Sequence, residues 1–129
     1  MAKINSRDKG KRGELEAAHF LTDAGYPASR GRQYSGRDDA PDIVCNSLPG
    51  IHWEIKRVEQ LNIESALKQA EHDAGNKLPI VMHRRNGNEW KLTLRASTFA
   101  PLLGMLQGLL AQIILVESDD GKEKRLPKI

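Results

Sequence analysis

The chain has 129 residues, 39% hydrophobic and 29% charged, with one cysteine, which fits one globular domain and excludes a disulfide-stapled secreted scaffold. No Cys-x-x-Cys pair occurs and the four histidines, His19, His52, His72 and His83, are scattered, so a structural zinc site is not expected. The net charge of +3 is uneven: residues 1–37 hold eight basic against four acidic side chains, and residues 38–129 hold twelve against thirteen, so an acidic partner is expected at the N-terminal third.

Residues 1–9 read as a solvated basic arm without the apolar core of a signal peptide. A helix is predicted from about Lys11 to Ala24, with the stripe Ala17, Ala18, Leu21 and Ala24 and with Gly25 as a left-handed cap. Glu14 falls on the face of that stripe and Glu16 on the side toward water. A short strand is expected within 26–32, then a polar loop from Gly31 to Pro41, a strand from Asp42 to Asn46, a turn, and a stronger strand from Ile51 to Val58. In the last of these His52, Glu54 and Lys56 share one face, and Ile51, Trp53 and Ile55 share the other.

A second helix is predicted over Ile63–Ala74, with Asn62 as N-cap, Gly75 past its end, and Ile63, Ala66, Leu67, Ala70 and Ala74 as its stripe. Pro79–His83 is a near-continuous apolar run, as a buried parallel strand requires. Asn86-Gly87 suits a two-residue hairpin loop, after which Trp90, Leu92 and Leu94 alternate as a half-buried strand. Ser97 caps a last helix over about 97–112, striped by Phe99, Leu102, Leu103, Leu106 and Leu110. Met105 and Leu109 lie off that stripe, so a second apolar surface, such as a dimer contact, is expected to cover them. Leu102–Val116 is broken by Gly104, Gln107, Gly108 and Gln112 and falls short of the roughly 20 apolar residues of a membrane span, so a soluble, intracellular protein is expected. The tail 117–129 is charged. The order α-β-β-β-α-β-β-α implies an α/β fold with a mixed sheet, as one domain over 10–116 with its core in 10–95.

Three carboxylates converge on this scheme: Glu14 on the inner face of the first helix, Asp42 at the opening of one strand and Glu54 in the next. Lys56 follows two residues later on the face of Glu54. Crowded carboxylates repel unless protonated or bound to a cation, and Mg²⁺ favours such oxygen ligands together with phosphate. A lysine beside the ion adds a point charge for a scissile phosphate. Glu-x-Lys achieves this only on a strand, because on a helix the two side chains would point about 160° apart.

Pro41-Asp42-Ile43-Val44-Cys45, then Trp53-Glu54-Ile55-Lys56-Arg57, with eleven residues between Asp42 and Glu54, resemble the PD-(D/E)xK nuclease superfamily. The preceding Lys9-Gly10-Lys11-Arg12-Gly13-Glu14 is most similar to archaeal-type Holliday junction resolvases and related phage endonucleases. The resemblance covers roughly residues 9–95. It implies a restriction-endonuclease-like αβββαβ core with a mixed central sheet flanked by helices, and Mg²⁺-dependent (or Mn²⁺-dependent) cleavage of DNA by a homodimer acting on branched substrates in recombination or repair. By the same resemblance Glu14, Asp42 and Glu54 are metal-site carboxylates, the Ile55 carbonyl is a further ligand, Lys56 is the catalytic lysine, and Gln69 holds the place of a functional glutamine.

Other readings stay beside this one: a single-strand, flap or restriction-type nuclease, a DNA-binding module of the same fold that does not cut, and an α/β interaction domain in which Glu-x-Lys is a surface ladder. His52 is expected beside the site or exposed rather than as a ligand. Lys9, Lys11 and Arg12 on the first helix, Arg30, Arg32 and Arg37 around the polar loop, and Arg84 and Arg85 at the hairpin are the candidate phosphate contacts. Tyr34 is a candidate base-stacking residue, whereas Trp53 and Trp90 are expected in the core. Gly10 and Gly13 do not form a P-loop, because no Gly-Lys-Ser/Thr follows.

Overall fold

Apolar spacing, capping and strand alternation give a mixed α/β architecture in the computed structural model, which describes residues 6–31 and 41–119, with side chains over 9–31 and 41–116. The elements are α1 (Ser6–Asp23), β1 (Ser29–Arg30), β2 (Ile43–Val44), β3 (Ile51–Arg57), α2 (Ile63–Ala74), β4 (Leu78–Arg84), β5 (Lys91–Thr93) and α3 (Ala96–Asp119). The chain divides into two units, Met1–Arg95 and Ala96–Ile129.

In the first unit, β3 pairs with β4 in parallel, from Ile51↔Leu78 to Arg57↔Arg84, and β4 pairs with β5 antiparallel. A parallel pair needs a crossover, and α2 supplies it. β4 is the central strand of the three, which explains its apolar run: Ile80, Val81 and Met82 are successive residues, all at most 3% exposed. β1 and β2 form their own antiparallel ladder. The expectation of one sheet is corrected here, since β2 and β3 share no ladder.

The two faces of the three-stranded sheet bury different cores. Trp53 and Ile55 of β3, with Ile80 and Met82 of β4, pack on Ala17, Ala18 and Leu21 of α1. The opposite face presents Val81 to Ala66, Leu67 and Ala70 of α2. Residues paired across a ladder share a face, so Glu54, opposite Val81, lies on the α2 side.

The helix ends follow from local chemistry. α1 closes in a Schellman motif, with Gly25 at φ +103° donating to the Thr22 carbonyl (3.0 Å) and Tyr26 to that of Leu21 (2.8 Å). Asn62 caps α2 through Oδ1, which accepts from the Ser65 amide at 3.0 Å, and Gly75 takes φ +60° past its end. At Gly13 a Cβ would come within 2.9 Å of Arg57 Cβ, so glycine lets α1 lie close to the end of β3.

Several expectations change. The N-terminal arm is helical from Ser6 onward, where Arg7 and Lys9 are sound helix formers. Ala24 is exposed rather than part of the α1 stripe, and it follows the last helical residue. The Asn86-Gly87 turn is not a two-residue hairpin: β4 and β5 are separated by residues 85–90, Gly87 is at φ +73°, and no non-glycine among the described residues has positive φ. A type I′ turn needs positive φ at both central positions. Leu92 is 54% exposed, while Trp90 and Leu94 pack on the first core.

In the second unit, α3 runs through Gly104 and Gly108 to Asp119, well past the expected 112, because isolated glycines weaken a helix without ending it. Over Ala96–Val116 it is long and apolar enough, by length and composition, to cross a membrane, which corrects the expectation that this stretch is too short. Leu103, Met105, Leu106, Leu109, Ile114 and Leu115 are exposed.

Candidate active site

β3 is an edge strand of its sheet, so alternate backbone N–H groups point away from β4 and need partners. The Ile55 amide donates to Asp42 Oδ2 at 2.9 Å. Asp42 thereby takes the place of a ladder partner, and its carboxyl is held against the middle of β3. Gly31 secures the segment in turn: its amide donates to the Asp42 carbonyl at 3.1 Å, and a Cβ at Gly31 would collide with the Pro41 carbonyl.

Glu54, one residue before Ile55, is 2% exposed. Burial, then the Asp42 charge, push its carboxyl up to about 8, a shift opposed by Lys56 and reinforced by a hydrogen bond with Asp42 and by Asp73. Glu54 thus favours its protonated form near neutral pH, as a buried carboxyl beside a like charge does. Hard oxygen donors crowded to this degree fit a divalent ion.

Lys56 lies on the same face as Glu54, and its Nζ donates to Gln69 Oε1 at 2.9 Å. Gln69 and Asp73 are four residues apart on α2 and so stand one above the other, about 6 Å along the axis. Lys56 and Glu54 are about 7 Å apart along β3. The two rows match: Gln69 meets Lys56, and Asp73 comes to Glu54 and His52. Ligand atoms of His52, Glu54 and Asp73 all lie within 4.8 Å of one another.

His52 is 6% exposed, so the alternative that left it in solvent is corrected: α2 covers it. Burial lowers its pKa, and its Nε2 is buried with no hydrogen-bond partner among the described residues.

Glu14 is held elsewhere. Its Oε2 accepts from Arg30 Nε at 2.8 Å, and it is not part of the His52–Glu54–Asp73 group. Glu16, expected toward water, instead accepts from Arg84 Nη2 at 2.7 Å and lies 2.8 Å from Arg57 Nε. It ties α1 to the ends of β3 and β4. Structure therefore brings together Asp42, Glu54, Ile55, Lys56 and Gln69, and sets Glu14 on an arginine of β1.

Of the candidate phosphate contacts, Lys11, Arg12 and Arg85 are exposed and Lys9 is half-buried. Arg30 is engaged by Glu14, and Arg84 by Glu16 and by the Trp90 ring, 5.2 Å from its centroid. Arg32, Arg37 and Tyr34 lie outside the described residues. A cavity of about 190 Å³ at the end of β4 holds His83, Arg84, Arg85 and Lys91 on its wall, away from Glu54.

Two residues escaped the sequence pattern. Asp73 was legible as the position one helical turn beyond Gln69. Glu16 was not, because its arginine partners come from strands far along the chain.

No protein-family model and no curated protein matches the chain. Among solved structures, the chain is similar to Hjc, a Holliday junction resolvase from the archaeal hyperthermophile Archaeoglobus fulgidus, with 23% identity and a TM-score of 0.45 over 67% of this chain and 72% of that one.

Proposed function

We propose that the protein is a divalent-metal-dependent endonuclease that hydrolyses phosphodiester bonds in DNA, with branched DNA as its substrate. The observation that carries this reading is the buried Glu54, paired with Asp42, with Lys56 two residues away on the same face. A surface charge ladder has no need to bury a carboxyl at 2% exposure, where it loses hydration.

Asp42, Glu54 and the Ile55 carbonyl would hold Mg²⁺ or Mn²⁺. Such an ion acts as a Lewis acid on the phosphate and lowers the pKa of a bound water. Lys56 places positive charge where the phosphorane-like transition state gains negative charge. Gln69 fixes the lysine by its 2.9 Å hydrogen bond. Glu14 belongs to the same set by its place in the motif, and it would exchange Arg30 for a cation. Lys9, Lys11, Arg12 and Arg85 contact DNA phosphates in this reading, joined by Arg32 and Arg37, while Arg30 and Arg84 would first have to leave their carboxylates.

Residues 10–116 act as one nuclease domain inside the cell, and the exposed apolar side chains of α3 are covered by a second copy. Sedimentation without detergent is expected to give a dimer at micromolar concentration, and a monomer removes that part of the proposal.

The decisive experiment is cleavage of a labelled four-way junction beside linear duplex and single-stranded controls, in Mg²⁺ and in EDTA, with Lys56→Ala alongside. Paired nicks near the crossover that need both Mg²⁺ and Lys56 are expected. Binding without cutting on every substrate would overturn the enzymatic reading in favour of a DNA-binding module.

A further inference from the structure

We infer that His52, Glu54 and Asp73 form a cation site of mixed nitrogen and oxygen character, suited to a borderline first-row ion such as Mn²⁺ or Zn²⁺. Glu54 is shared with the proposed nuclease centre, but the inference does not depend on DNA chemistry.

Three observations carry it. Ligand atoms of the three residues lie within 4.8 Å of one another, and donors held tetrahedrally on one ion at about 2.0–2.2 Å stand about 3.3–3.6 Å apart, so a closure of at most about 1.5 Å brings the three onto one ion. His52 is 6% exposed, and its Nε2 is buried without a partner among the described residues. Buried polar atoms are otherwise almost always satisfied, and a ring nitrogen of His52 also lies within reach of both carboxyls, so the imidazole has the makings of a metal ligand. Finally, the donors sit on two rigid elements. β3 carries His52 and Glu54, while α2 is seated by the fully buried Ala70 and capped by Asn62.

Asp73 Oδ1 also lies 3.1 Å from Nδ1 of the exposed His72, a contact easily exchanged for a cation. The donor set decides the kind of ion. Mg²⁺ prefers oxygen and retained waters, whereas imidazole with carboxylates suits the borderline metals. The site would therefore favour a borderline ion over Mg²⁺ more strongly than the oxygens of Asp42 and Glu54 alone would.

The test uses Mn²⁺ added to the metal-free full-length protein, without DNA. Electron spin-echo envelope modulation reports ¹⁴N when an imidazole binds the ion. The parent is expected to show this modulation, His52→Ala to lose it, and His72→Ala to keep it. Titration followed by the Mn²⁺ resonance should show Asp73→Asn binding at least about tenfold more weakly. Asp73 is itself partly open to solvent, its side chain 30% exposed, so this second variant tests the site even if His52→Ala fails to fold. Oxygen-only ligation in the parent, loss of the nitrogen signal in His72→Ala, or parental affinity in Asp73→Asn would each overturn the inference. A nitrogen signal in a protein that cuts no DNA would sink the nuclease reading and leave this site standing; cleavage with no nitrogen signal would do the reverse.

Discussion

The two faces of β3 are equally buried and do opposite things. On one, Trp53 and Ile55 are 5% and 8% exposed and pack against α1; on the other, His52 and Glu54 are 6% and 2% exposed and lie under α2. Burial of the first pair stabilises the fold by about 25 cal/mol per Å² of apolar surface. Burial of the second costs free energy, because a carboxyl and an imidazole leave water without full hydrogen-bonding replacement. The α1 face therefore holds the strand in place, and the α2 face uses that rigidity to keep polar groups where they would not stay on their own.

The largest expected effect breaks the apolar face. Trp53→Ala empties a site between α1 and the sheet and should cost about 3–5 kcal/mol, read as a lower denaturant midpoint in urea. A loss under about 1 kcal/mol would mean that the α1 face is not the structural one.

The polar face should behave in the opposite sense. Glu54 has its pKa raised from 4.5 to about 8 by burial and by Asp42, so its contribution to stability is complete below pH 4.5 and is lost as pH rises toward 8. His52 and His83 are lowered from 6.5 by burial, and they destabilise as pH falls below 6.5. The signs oppose each other in acid, but between pH 6.5 and 8 the Glu54 slope is left. Metal-free parent protein should lose thermal stability over that interval, and Glu54→Gln should flatten the slope while abolishing metal-dependent cleavage. A parent Tm that rises from pH 6.5 to 8 would contradict the assignment.

Asp42 joins the two faces, and its effects separate by substituent. Asp42→Ala leaves the Ile55 amide without its 2.9 Å acceptor and should cost about 1–3 kcal/mol. Asp42→Asn keeps an acceptor oxygen and removes the charge, so stability should hold while cleavage fails. Equal destabilisation by both would show that the charge, not the hydrogen bond, supports the edge of β3.

Much of this was readable from spacing. The alternation of Ile51–Lys56 assigned each side chain of β3 to its face, and α2 was bounded by Asn62 and Gly75 because capping is local chemistry. The apolar run of Pro79–His83 announced a central parallel strand. Failures came where the partner is distant or the backbone is irregular. Asp42 was expected in a strand paired to that of Glu54, yet the join is a side chain bonded to a backbone amide, and no periodicity encodes that. Glu16 depends on Arg57 and Arg84, and Glu14 on Arg30, so neither orientation follows from the helix alone. His52 alternates like an exposed residue until α2 covers it.

The smallest effect is also the most discriminating. Gln69 is exposed and gives Lys56 a single hydrogen bond, so Gln69→Ala should change stability by less than about 0.5 kcal/mol. If Lys56 must be aimed at a phosphate, freeing it should lower kcat by about tenfold and leave KM unaltered, because orientation matters only in the transition state. Gln69→Glu sharpens the comparison. It keeps Lys56 restrained, now by an ion pair, but draws its charge away from the substrate, so kcat should fall although the side chain is better held. A Lys56 that only decorates a charged strand would leave kcat unmoved in both variants. A lysine that needs restraint but not charge would be impaired by alanine and spared by glutamate.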